Sequence, residues 1–142
     1  MKKRKILAMI LAVCMAASLL CIGASARSSK YLDGYGIVLT PKSGGKIVIT
    51  IDVDGLGRMT KIGASTIFLY ESRDGVNFTR IKTYDCEDYP SMMGSGIHFC
   101  EDALTYNGVS GRYYYAIGFC YAGDSTGYDE QSYTTGVVRA IS

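Results

Sequence analysis

The stretch RYYYAIGFCYAG, Arg112 to Gly123, carries a bulky apolar or aromatic side chain at almost every position. A strand with one face in the core and the other in water alternates apolar with polar residues, and this run does not. Two alternating sets compete for the interior: Tyr115, Ile117, Phe119 and Tyr121, or Tyr114, Ala116, Gly118, Cys120 and Ala122. Bulk alone favours burying the first set.

Turn signals on either side show that the run is one strand among several. KSGG (42–45) precedes KIVITIDV (46–53), in which Ile47, Ile49 and Ile51 alternate with Val48, Thr50 and Asp52, and DGLG (54–57) ends it. STIFLYES (65–72) and VNFTRIKTY (76–84) flank the turn residues RDG (73–75), so they should pair as a hairpin. In the second of these, Thr79, Ile81 and Thr83 fall on one side and Phe78, Arg80, Lys82 and Tyr84 on the other. IHFCEDALTY (97–106), NGVSG, the opening run, GDSTGYDE (123–130) and SYTTGVVRA (132–140) continue the strand-and-turn rhythm. With YGIVLT (35–40) this makes seven strands. No window has helical periodicity, although MTKIGAS (59–65) suits one helical turn. The expected fold is all-β: a single immunoglobulin-like, seven-stranded β-sandwich, with a barrel as the structural alternative.

The first 26 residues read as a removable leader. MKKRK is basic, an apolar run follows, and Ala24-Ser25-Ala26 places small residues at the −3 and −1 positions of a signal peptidase site. The domain is therefore expected over 27–142, with 1–26 a signal peptide, the protein secreted, and no membrane span left after cleavage. A retained anchor, or a lipid-modified Cys21, is the alternative; Leu20 before Cys21 fits a lipobox poorly. The full chain has a formal charge of +2, but Lys2, Lys3, Arg4 and Lys5 leave with the leader, so eleven basic residues face thirteen acidic ones, a net −2. A weakly acidic domain with scattered cations offers no electrostatic footprint for nucleic acid or an anionic membrane.

VSGRYYYAIGFCYAGDSTG (109–127) resembles the sixth strand and following hairpin of fibronectin type III and related bacterial sandwich domains, and IFLYESRDGVNFTRIKTY (67–84) resembles their third and fourth strands. YLDGYG, KIGAS, YPSMMGS and YTTG together resemble a family of uncharacterised small secreted proteins of Gram-positive anaerobes, from which the three cysteines after the leader are a departure. The resemblance covers most of residues 31–138 and its motifs carry no known chemistry. It implies a corner tyrosine at Tyr114 and the second alternating set inside. A free thiol such as Cys120 is also more often buried than exposed. The outer face would then display Tyr115, Phe119 and Tyr121. The same alternation on neighbouring strands adds Phe68 and Tyr70, then Phe78 and Tyr84 with Arg80 and Lys82. Such a patch marks a recognition or self-association surface, or a sheet surface whose rings shield backbone hydrogen bonds.

Of Cys86, Cys100 and Cys120, the first two flank a 13-residue loop, EDYPSMMGSGIHF. A bridge between them would close that loop, worth about 3 kcal/mol by loop-closure entropy, with Cys120 left over; the alternative keeps all three reduced. His98 and Cys100 share a strand face but stand about 6.6 Å apart along it, too far for a thiol–imidazole pair. The spacing of Cys86, His98 and Cys100 lacks the tight pairs of structural zinc sites, and the acids at Asp52, Asp124, Asp129 and Glu130 lack the further ligands of a calcium loop. Turn chemistry explains those acids. No metal, cofactor or catalytic residue is expected. The reading is a non-catalytic module that recognises an extracellular protein or glycan, or one that buries its aromatic face in a homo-oligomer.

Overall fold

Ile47, Ile49, Ile51 and Val53 are all fully buried, as their alternation requires. They lie on β2 (Lys46–Met59), the middle strand of a three-stranded antiparallel sheet between β1 (Leu32–Pro41) and β6 (Ile97–Asn107). The computed structural model describes residues 29–142; the expected leader and its expected cleavage point after Ala26 lie outside the described residues. A second sheet runs β4 (Thr79–Asp85), β3 (Lys61–Ser72), β7 (Tyr113–Asp124), β8 (Gly127–Thr134), with β5 (Met93–Gly94) paired to β3 and β9 (Val138–Arg139) to β7. The two sheets stack as a sandwich, and among the described residues there is no α-helix.

The strand of the opening stretch alternates from Tyr113 to Ala122. Tyr114, Ala116, Cys120 and Ala122 are completely buried, while Tyr115, Ile117, Phe119 and Tyr121 are half-exposed. The small set lies inside because the sheets approach closely there. A Cβ built on Gly118 would fall 2.0 Å from Ile37 Cδ1 of the facing sheet and 3.3 Å from Ile67 Cγ1. The one large inward residue, Tyr114, sits at the end of the strand and forms a corner. Its hydroxyl accepts from the Val109 N–H (2.8 Å) and donates to Glu71 Oε2 (2.7 Å), and Glu71 also pairs with Arg112.

Several boundaries differ from the sequence expectation. β2 runs on through DGLG, absorbing it as an irregularity between Asp54 and Met59, with the Leu56 N–H donating to the Tyr31 carbonyl. The residues expected to form one helical turn instead close β2 and open β3. At Gly63 (φ +148) a Cβ would meet the Met92 carbonyl oxygen at 2.0 Å, so only glycine lets β5 dock there. GDSTGYDE shrinks to a two-residue hairpin turn, since Asp124 pairs with Gly127. The last predicted strand breaks at Thr135, whose side chain accepts from the Ala116 N–H and whose own N–H donates to the Ala116 carbonyl.

The expected Cys86–Cys100 bridge is absent: Cys86, Cys100 and Cys120 are all free. Cys86 follows β4 in the larger sheet, its N–H bonded to the Ser65 carbonyl, whereas Cys100 lies opposite Val53 in the smaller one. The loop between them is pinned by other means. A turn is closed by Asp88 and Tyr89 N–H groups on the Asp85 carbonyl, Met92 is fully buried, and β5 adds to β3. Cys100 directs its thiol to the Met92 carbonyl at 3.6 Å.

Candidate functional site

The outer face of the larger sheet collects the rings through strand register. Tyr70 on β3 lies directly opposite Tyr115 on β7, and the two rings stack at 4.7 Å with only 2° between their planes. Phe78, just before β4, meets Tyr115 edge-on at 4.8 Å. One row along, Phe68 and Phe119 form an edge contact at 6.0 Å, and the Arg80 guanidinium lies 4.9 Å over the Phe68 ring. Tyr121 stacks on Tyr128 of β8 at 5.3 Å. The β3 strand bulges at Ser65, whose hydroxyl hydrogen-bonds Glu130 Oε2 (2.7 Å) and the Phe119 carbonyl (3.3 Å). That bond ties the two ring groups across three strands.

Six of the seven expected rings thus share one face: Phe68, Tyr70, Phe78, Tyr115, Phe119 and Tyr121. Tyr84 does not join them. The β3–β4 register jumps from Tyr70↔Arg80 to Leu69↔Lys82, leaving Ile81 as an extra residue. A bulge of this kind exchanges the two faces beyond it. Arg80 stays outside, but Lys82 and Tyr84 turn inward opposite Leu69 and Ile67. Tyr84 is buried against Tyr89 at 5.0 Å, with the Lys82 ammonium 5.5 Å and 5.6 Å from the two rings, and burial pushes its phenol up to about 12. The face therefore carries one cation from this strand, not two. Sequence reasoning also missed Tyr128, the most exposed ring of the group at 66%. The two-residue turn would have revealed it, because that turn sets Tyr128 opposite Gly123 and so on the same side as Tyr121.

The geometry limits what this surface can hold. Tyr115 has Tyr70 on one side and Phe78 on another, and Phe68 is covered by Arg80 and met by Phe119. Their flat faces are spent on one another, so most of the face offers ring edges, phenol hydroxyls and a guanidinium. Tyr128 alone of the group is mostly open to solvent. Ring stacking of this kind contributes about 0.5–1.5 kcal/mol per pair and holds the side chains in fixed positions before any partner arrives.

No group of three or more His, Cys, Asp or Glu suited to a metal ion occurs among the described residues. Burial raises the thiol pKa of Cys120 to about 12 and shifts Cys86 and Cys100 upward too, which removes thiolate character at neutral pH. Asp74 accepts from the backbone N–H groups of Val76 and Asn77, and Asp124 from the Thr126 N–H and hydroxyl, so both acids serve turns. No family model matches the chain, and no curated protein sequence does.

Proposed function

We propose that this chain is a secreted, non-catalytic module of fibronectin type III-like build that recognises an extracellular protein through the aromatic face of β4, β3, β7 and β8. The strand orders β1-β2-β6 and β4-β3-β7-β8, with the Tyr114 corner, support the fold type. The observation that carries the functional reading is the mutual packing of the rings, above all Tyr70 on Tyr115 with Phe78 against it. Glycan binding by stacking uses open ring faces, which this surface mostly lacks. Protein interfaces draw on rigid Tyr rings, which lose little conformational entropy on contact, and on Arg, which here already lies over the Phe68 ring.

A photo-crosslinker at Ile117, between the ring groups, tests this on the intact protein. The partner should be captured by the native surface and by a Val38→Ser control, which alters the opposite sheet, but lost with Tyr115→Ser plus Arg80→Ser in folded protein. A crosslinked second copy, matched by a dimer in sedimentation that the same variant abolishes, would make the module an assembly protein instead. Capture unaffected by the double variant would remove the face from the argument.

A further inference from the structure

The corner where β2 passes into β3 forms a separate feature on which no aromatic ring bears. Arg58 and Lys61 from this corner, Ser95 and Gly96 from the β5–β6 turn, and Asp124 and Ser125 from the β7–β8 turn line an open cleft of about 660 Å³. Three segments far apart in sequence meet there, at a size that suits a small ligand. The one salt bridge among the described residues joins Arg112 to Glu71, so neither Arg58 nor Lys61 has an ion-pair partner. The Arg58 side chain lies against the Gly96 turn. A Cβ on Gly96 would lie 3.5 Å from its Nη2 and 3.8 Å from its Nε, ordinary contact distances that place the guanidinium beside this turn, and φ +68 keeps the turn in a conformation natural to glycine.

Asp124 sets the chemistry of the ligand. Its Oδ1 accepts from the Thr126 N–H at 2.7 Å and hydroxyl at 2.6 Å, and the Gly127 N–H also faces the carboxylate, so its own turn fixes the group while no other side chain donates to it. A bare anion would satisfy the two cations but meet this carboxylate unfavourably. A neutral sugar would satisfy the carboxylate but leave both cations unmatched. A molecule with an anionic group beside a hydroxyl matches all three charges at once.

We propose that this corner binds a sugar or polyol bearing a carboxylate or phosphate, with Arg58 and Lys61 holding the anion and Asp124 accepting from an adjacent hydroxyl. The site is open to solvent, so binding is weak and falls with added salt.

Titration of the isotope-labelled protein by NMR, with glucuronate, glycerol 3-phosphate, glucose and inorganic phosphate as separate probes, tests it. Glucuronate or glycerol 3-phosphate should shift the amides of residues 58–61, 95–96 and 124–125, and whichever binds more tightly identifies the anion. Glucose should leave them unmoved. Arg58→Gln should weaken binding by about tenfold in a protein of unchanged melting temperature. Asp124→Asn should weaken the hydroxylated anions relative to inorganic phosphate. Absence of shifts with both hydroxylated anions, equal shifts with glucose, or indifference to Arg58→Gln would overturn the proposal. Phosphate binding as tightly as the hydroxylated anions, with no effect of Asp124→Asn, would do so too, reducing the site to an adventitious anion patch.

Discussion

Gly118→Ala provides the most direct test of which face of β7 meets the core. The added Cβ would lie 2.0 Å from Ile37 Cδ1, where ordinary carbon contacts are about 3.5–4.0 Å, so that methyl must retreat by roughly 1.5 Å. Ile37 is only 1% exposed, so its methyl cannot swing out into solvent. Overpacking of this kind costs about 1–3 kcal/mol, less a few tenths recovered because alanine loses less backbone freedom than glycine in a strand. For a domain of this size that lowers the melting temperature by about 4–12 °C. Ile37→Val removes the clashing methyl and by itself costs about 0.5–1.5 kcal/mol. In the Ile37→Val background Gly118→Ala should be much milder, giving a coupling of about 1–2 kcal/mol in a double-mutant cycle. The residual cost comes from Ile67 Cγ1 at 3.3 Å. Urea melts followed by circular dichroism would measure it, with an unchanged m-value confirming that compactness is preserved. If the two substitutions simply add, the methyl does not meet Ile37, and the close approach of the sheets at Gly118 is wrong.

Tyr114→Phe keeps the buried ring but removes the acceptor for Val109 and the donor to Glu71; the expected loss is about 1–3 kcal/mol by chemical denaturation, and a neutral outcome would deny the corner its role. Intact mass after alkylation should show Cys86, Cys100 and Cys120 all as free thiols, with half-buried Cys86 modified under native conditions well before Cys120; a Cys86–Cys100 bridge in the native protein would contradict the observed arrangement. Cys120 is held as a neutral thiol up to about 12, whereas an unfolded chain ionises it near 9, so the folded state binds the extra proton between those values. Stability should therefore be full below about pH 9 and decline as pH rises toward 12, with Tyr84 and Tyr114 adding to the upper end; a Cys120→Ala protein should show a shallower alkaline slope, and an equal slope would argue against the thiol's burial.

Strand identity was plain from turn residues and β-rich runs, because KIVITIDV and its neighbours alternate without ambiguity. The faces of β7 were not readable from hydrophobicity, since both sets are apolar. Packing geometry decides them: Gly118, Ala116 and Cys120 go inside because Ile37 and Ile67 already fill the space between the sheets. The comparison with sandwich domains, built around Tyr114, pointed to the correct set where side-chain size pointed to the wrong one. Six of the seven proposed rings then followed by counting in twos from β7 and β3. The count failed at Tyr84 because one extra residue at Ile81 changes parity and leaves no compositional trace. The Arg58 and Lys61 cleft was invisible in the sequence for a different reason: its three segments are joined only by the sandwich's end-to-end closure.

The irregularity at Ile81 also shapes the border of the larger sheet. β4 is the outermost strand of its sheet, and a straight, apolar border strand is a template on which another chain can extend the sheet. Here the border is kinked at its midpoint, and the residues flanking the kink, Arg80 and Lys82, place a cation on each side of the sheet. An incoming strand would lose its ladder at the kink and meet positive charge on both surfaces. Fibril-like growth along this margin is thereby discouraged.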